Sequence, residues 1–214
     1  MTQNSKCPVS VEKALRETGL ATPQAIGKLE IYVRMLLEWQ SAINLVAPST
    51  LPQIWERHIL DSAQIWPLIV KDGTPSRIID LGSGGGLPAI VLAILGAEHV
   101  TMIESDLRKS VFLREVSRET NLTNVTILNK RCEQVEGLKA SIVTARAVAS
   151  LLQLVGWAKP FLEDDGLMIF PKGQDYQNEI DELAEEFEED LVGNIETIQS
   201  ITDDKAHIVM IYND

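Results

Sequence analysis

A chain of 214 residues with 45% hydrophobic and 23% charged side chains is ordinary globular material, long enough for one α/β domain with a small appendage. Its net charge of −12 counts against a general polyanion-binding module, because nonspecific nucleic-acid affinity comes mainly from neutralising phosphates. The longest near-apolar run, Leu87 to Ala97, falls well short of the roughly 20 residues of a membrane span, no charged-then-apolar leader opens the chain, and Cys7 and Cys132 lack metal-like spacing; a cytoplasmic protein without a metal is expected.

Before Arg77 the pattern is helical. Ser10 can cap a short helix to Thr18, and Thr22-Pro23 reads as a cap followed by proline at the first helical position. From there Ile26, Leu29, Val33, Leu36, Leu37 and Ile43 recur at helical spacing, which predicts an amphipathic helix of about twenty residues. A third helical stretch from Leu51 carries Trp55, His58, Ile59 and Ser62. Residues 1–76 are thus read as a helical cap packed on a core spanning 77–214, the two forming one structural unit.

After Arg77 the reading alternates. Strands are expected at Arg77 to Leu81, His99 to Ile103, Val125 to Leu128, Ala140 to Thr144 and Leu167 to Phe170. Helices are expected between them at Leu87 to Leu95, Leu107 to Asn121 and Leu151 to Pro160. Such alternation specifies an α/β fold with a mostly parallel sheet and helices on both faces. A further helix, 175–188, should turn Ile180, Leu183, Ala184 and Phe187 inward and leave the acidic run from Glu179 to Asp190 on a solvated face. Two late strands, 194–200 and 206–211, complete seven strands and supply one antiparallel edge. Trp39, Trp55, Trp66 and Trp157 have apolar neighbours at helical spacing and are assigned to packing. No apolar stripe is left over, so a monomer is expected.

The chemistry concentrates at the strand ends. Residues 78–90 run from an apolar strand through a glycine-rich turn into an apolar helix. At Gly82, Gly84 and Gly86 the turn lacks Cβ atoms, so its backbone can adopt positive φ and approach a ligand at a helix N-terminus. A dinucleotide fingerprint requires Gly-x-Gly-x-x-Gly, but here the third glycine comes one residue early and Leu87 stands where the last should be. The shorter pattern, preceded by Asp80, resembles the first motif of class I S-adenosylmethionine methyltransferases. Glu104, with Ser105, ends the second strand and can accept both hydroxyls of a ribose. Strand three ends in Arg131-Cys132-Glu133, strand four in Thr144-Ala145-Arg146-Ala147, and strand five in Pro171-Lys172-Gly173. Ligands of open α/β sheets sit at this edge.

Taken with Arg57-His58-Ile59-Leu60-Asp61-Ser62 and the stretch Arg108 to Leu113, these strand ends resemble the ribosomal RNA small subunit methyltransferase G family, also called glucose-inhibited division protein B, over most of the chain. The resemblance implies a class I, Rossmann-like methyltransferase fold with an N-terminal helical extension. It also implies S-adenosyl-L-methionine as cofactor, with contacts on Gly82, Leu87, Cys132, Glu133 and Arg146. The implied reaction is methyl transfer to N7 of one guanine in small-subunit ribosomal RNA, so the implied partner is that RNA or the small ribosomal subunit. Family members commonly carry Ala at the place of Cys132, Gly at that of Ala89 and Asp at that of Glu104.

Guanine N7 presents a free lone pair on the Hoogsteen edge, so the acceptor needs no general base. Thr144 to Ala147 fits this, having neither the Asn/Asp-Pro-Pro run of exocyclic-amine methyltransferases nor a nucleophilic cysteine. Arg146, Lys172 and His58 are the candidate catalytic residues. Arg146 can orient substrate or cofactor carboxylate, or pair with Glu133 or Glu104. Lys172 and Arg131 can meet phosphate or O6. His58 either approaches the site or packs against Asp61. Arg108, Lys109, Arg114 and Arg118 share one predicted helix, either as a solvated face or as an RNA contact, and with Lys130, Arg131 and Arg146 they make up the local basic face through which RNA would bind. Two other readings stay open: a class I methyltransferase of a small molecule or protein, and a noncatalytic module that keeps the fold.

Overall fold

A computed structural model describes residues 5–17, 22–70, 76–186 and 194–213. Helix α1 (Val9–Glu17) buries Val11 and Leu15. Ser10 lies inside its first turn rather than capping it, because the amide of Glu12 already bonds Pro8 O at 2.9 Å; Thr18 falls outside the described residues. Helix α2 (Pro23–Gln40) starts as its sequence dictates: the Thr22 side chain accepts the amide of Ala25, and Pro23 stands where no donor is required. The helix ends before Ile43, which is still buried. The third helical stretch is not one helix. It breaks into a 3-10 segment (Pro48–Gln53) containing Pro52, a π-helical turn (Trp55–Leu60), and the short α3 (Asp61–Ala63) and α4 (Trp66–Ile69). Prolines remove donors from the ladder, and π-helical turns recur at functional sites.

The strands are β1 (Arg77–Leu81), β2 (His99–Ile103), β3 (Val125–Leu128), β4 (Ala140–Ala145), β5 (Leu162–Lys172), β6 (Ile195–Gln199) and β7 (His207–Tyr212), in the order β3-β2-β1-β4-β5-β7-β6. Strands β1 to β5 pair in parallel, and β7 runs antiparallel to both β5 and β6. The antiparallel strand therefore lies inside the sheet and not at its edge: the short 200–206 connection returns β7 alongside β6, and β7 inserts next to β5. Strand β5 is longer than expected. Its register against β4 slips between Ala140 and Ile142, so residues 163–166 bulge outward with Asp165 at φ 60°.

Between the strands lie α5 (Ala89–Leu95), α6 (Leu107–Glu119), α7 (Leu151–Ala158) and α8 (Tyr176–Glu186). Alternation along the strands feeds two apolar layers. Ile78, Val100, Met102 and Ile142 face one, shared with α1, α2, α5 and α6, while Ile79, Leu81, Val143 and Phe170 face the other, shared with α7 and Leu183. The N-terminal helices thus pack into the same core as α5, burying Leu29, Tyr32 and Leu36 completely. Trp55 is buried there, Trp39 and Trp66 pack against that core, and Trp157 packs against the other. On α8 only Leu183 is buried; Ala184 is exposed, contrary to expectation, because the helix meets the sheet near its N-terminal half through Tyr176 and Ile180. Phe187 lies outside the described residues.

Candidate active site

The carboxyl ends of β1, β2, β4 and β5 open into a cleft of about 830 Å³. One wall is the glycine loop with Glu104 and Ser105; the floor carries Arg146, Ala147 and Val148; the far wall combines Pro171 to Gly173, the 200–207 connection and residues 44–64 of the helical segment.

The loop divides the three glycines by role. Gly82 (φ 62°) and Gly84 (φ 54°) line the cleft, whereas Gly86 (φ 89°) does not. A Cβ on Gly86 would come 2.6 Å from Ile90 Cγ1 and 2.9 Å from Leu113 Cδ2, so this glycine serves packing of the loop on α5 and α6. A Cβ on Gly82 would meet both Val148 methyls at 2.9 Å. Leu87, joined to Pro88 by a cis peptide bond, lines the cleft. Tyr32 was not anticipated: fully buried on α2, its hydroxyl donates to Gly85 O at 2.6 Å and ties the loop to the N-terminal helices. Burial drives that phenol well above its ordinary pKa, so it remains a donor.

Asp80 sits behind the loop, fully buried. Its Oδ1 accepts from the Thr144 hydroxyl at 2.7 Å, and its Oδ2 has no hydrogen-bond partner. Burial raises its pKa to about 7 against the opposing pull of Ser83, Thr144 and Arg146. Glu104 binds protein on both oxygens: Oε2 accepts the amide of Gly84 and Oε1 that of Asp106, each at 2.7 Å. Carboxylate oxygens have further lone pairs, and this one lines the cleft beside exposed Ser105. The Asn129 amide bonds Glu104 O and Ser105 O, fixing the end of β3 against that of β2. Cys132 and Glu133 follow in a 3-10 turn, where the thiol donates to the carboxylate at 3.3 Å; neither lines the cleft.

Arg146 is the hub. Its Nη1 donates to Asp61 Oδ2 at 3.0 Å and to Arg57 O at 3.4 Å, and its Nη2 to His58 Nδ1 at 2.8 Å. Its carboxylate partner is therefore Asp61, not Glu133 or Glu104, and the partner of His58 is Arg146, not Asp61. Asp61 Oδ1 accepts in turn from Gln64 (2.8 Å), Thr202 (2.8 Å) and Ser200 (3.3 Å). Arg57 pairs with Asp203. Ala147, next to Arg146, holds φ 55°, a conformation that costs a non-glycine residue energy and clusters at functional sites. Lys172 lines the cleft but is engaged, donating to Glu179 at 2.6 Å and Ala149 O at 3.1 Å; Glu179 also accepts the amide of Leu151 at the start of α7. The first acid of the supposed solvated run is thus structural, while Asp181, Glu182, Glu185 and Glu186 are exposed.

The Arg57 to Ser62 run signalled the helical side of the site, but Asp203, Ser200 and Thr202 carried no local signal. The residues present fit an adenosylmethionine. Gly82 and Gly84 leave the backbone bare, Glu104 offers acceptors beside them, and buried Asp80 retains an orphan oxygen behind the loop. Among the described residues no cluster of His, Cys, Asp and Glu could hold a metal ion.

Known proteins give the same picture. Residues 25–209 match the family model of rRNA small subunit methyltransferase G. The chain is 48% identical over 176 residues to Ribosomal RNA small subunit methyltransferase G of Paramagnetospirillum magneticum, covering 82% of this chain and 84% of that protein. It is 40% identical over 191 residues to the protein of the same name from Jannaschia sp., covering 87% of each. Among solved structures, a SAM-dependent O-methyltransferase from Thermotoga maritima superimposes with a TM-score of 0.58 at 16% identity, covering 85% of this chain and 71% of that one, which establishes the class I methyltransferase fold. Over that fold, and over most of its length, the chain belongs to the rRNA small subunit methyltransferase G family.

Proposed function

We propose that this protein transfers a methyl group from S-adenosylmethionine to N7 of a guanine in small-subunit ribosomal RNA, acting in the cytoplasm as a monomer. The observation that carries this reading is the state of the acids in the cleft. Asp61, Glu104, Glu179 and Asp203 all line it, and each already accepts hydrogen bonds from protein groups. His58 is pushed down to about 3 by burial and by the charges of Arg146 and Arg57, and both its ring nitrogens are occupied. The other histidine of the cleft lining, His207, has its ring stacked on Tyr176 and its Nδ1 buried without a partner. A cleft whose acids and His58 are already engaged suits an acceptor that carries a lone pair and no proton, as N7 does. Bound adenosylmethionine supplies the activated methyl group. The chain supplies placement and exclusion of water: Gly82, Gly84, Leu87, Glu104 and Ser105 hold the cofactor, with Cys132 and Glu133 beside it and Asp80 and Gly86 shaping the loop, while Arg146 orients the reactants and Lys172 fixes the 146–151 loop.

RNA approaches over α6 and the end of β3. Arg108 is paired with Asp106 and Arg118 with Glu115 and Glu119; among the described residues Lys109, Arg114, Lys130 and Arg131 make no ion pair, and Lys109 borders the cleft. Exposed large apolar side chains are spread over α1, α6, the loop after β4, and β6 with the loop that follows, which supports a single subunit. Among the described residues no helix is long and apolar enough to cross a membrane.

The test is transfer of labelled methyl to small subunits from cells lacking the protein, with large subunits, naked RNA and a protein fraction in parallel. Label confined to small-subunit RNA supports the reading; label in protein or small molecules favours the other methyltransferase class. Arg114→Glu with Lys130→Glu should weaken RNA binding and flatten its salt dependence by about one to two units of slope without altering cofactor affinity.

A further inference from the structure

A guanidinium has five N–H donors and no acceptor. In Arg146 three are committed to the helical segment, two from Nη1 to Asp61 and Arg57 O and one from Nη2 to His58. Among the described residues the Nε–H and the second Nη2–H have no partner, and the residue lines the cleft. Because arginine cannot accept, the Nδ1 of His58 must be the bare nitrogen, and the ring proton must sit on Nε2. That nitrogen lies 2.7 Å from the Thr50 hydroxyl, which passes its own proton to Ala47 O at 2.7 Å. The sequence of donors and acceptors is consistent in one direction only: Arg146 to His58 to Thr50 to Ala47. Asp61 is held as firmly from behind by Gln64, Ser200 and Thr202. Asp61 and Arg146 side chains are each only 15% exposed.

We propose that His58 and Asp61 are positioning residues for Arg146, His58 as a neutral acceptor locked in its Nε2–H tautomer, so that the helical segment sets the orientation of the donors Arg146 turns toward the reactants. The proposal rests on the reading of this cleft as the methyl-transfer site. It follows that the N-terminal segment is part of the working site and that a charged His58 would be repelled by Arg146 rather than bound.

Three variants separate the roles. Asparagine places an amide oxygen where Nδ1 stood, glutamine places one near Nε2, and phenylalanine offers neither. His58→Asn is expected to keep kcat/KM within about threefold of the parent protein, and His58→Gln and His58→Phe to lose tenfold or more, at closely similar Tm for the three. Nitrogen-15 NMR should show His58 protonated on Nε2 alone near neutral pH. It should also show slowly exchanging Arg146 Nη–H signals, assigned with Arg146→Lys, that survive in His58→Asn and Asp61→Asn and broaden in His58→Phe and Asp61→Leu. Equal losses in all three His58 variants, losses that track Tm, an Nδ1–H tautomer or unchanged Arg146 Nη–H signals in His58→Phe would each overturn it. A parent protein that methylates no RNA would instead refute the functional reading, and the NMR results would still decide whether His58 and Asp61 hold Arg146.

Discussion

Gly84→Ala and Gly86→Ala should part company although the two residues are near neighbours in one loop. Gly86 holds φ 89°, and its new methyl would lie 2.6 Å from Ile90 and 2.9 Å from Leu113, both fully buried. Forcing an L-residue into that conformation costs about 1–3 kcal/mol, and overpacking against two immobile core side chains costs about 1–3 kcal/mol more. A less flexible unfolded chain returns about 0.4–1 kcal/mol. The net loss is about 1–6 kcal/mol, a fall in Tm of roughly 2–20 °C for a domain of this size. Gly84 has φ 54° and its nearest neighbour is Gly82 O at 3.7 Å, so its alanine variant should lose only about 1 kcal/mol. Its methyl, however, stands in the cleft wall and should weaken cofactor binding tenfold or more. Urea unfolding and calorimetric titration with S-adenosylmethionine measure the two effects separately. Equal destabilisation, or a Gly86 variant of unaltered stability with weakened cofactor binding, would refute the division of the loop into a packing glycine and a cleft glycine.

Lys172→Ala leaves Glu179 in place without its cation and should cost about 1.5–3 kcal/mol; a double-mutant cycle with Glu179→Ala should return a coupling of about 0.5–3 kcal/mol by urea unfolding. Tyr32→Phe strands Gly85 O in the core and should cost about 1–3 kcal/mol, read by the same method. The pH dependence turns on Asp80, whose pKa is raised by burial from 3.8 to about 7. Between those values the folded state binds more protons than the unfolded one, so stability falls as pH rises through this window, by an amount on the order of 4 kcal/mol. Asp80→Asn should remove this slope between pH 4 and pH 7, measured as the difference in unfolding free energy between variant and parent across the window.

The pattern 78–90 was legible because a strand, bare turn and helix are written contiguously, and Glu104 could be placed by counting from Gly82. What contiguous pattern could not tell was that a Cβ on Gly86 would meet Ile90 and Leu113, since close packing and close approach of a ligand demand the same missing Cβ. Five parallel strands were readable from their alternation with helices, but the interior position of β7 was not, because two short strands joined by a tight connection read alike whichever of them pairs with β5. At the site, Arg146 and His58 could each be singled out on their own segments; their contact spans 88 positions and the Asp61–Thr202 bond 141, and no local spacing encodes either. Glu133 stood out as an acid after a strand, and it lies in the 3-10 turn that follows β3, next to the cleft but not among the residues that line it.

One measurement identifies the methylated atom. Small subunits from cells lacking the protein, incubated with it and labelled S-adenosylmethionine, should yield after nuclease digestion and mass spectrometry a single labelled nucleoside, 7-methylguanosine, at one position of the small-subunit RNA. Label on an exocyclic amine, on a pyrimidine carbon or on ribosomal protein would contradict transfer to N7.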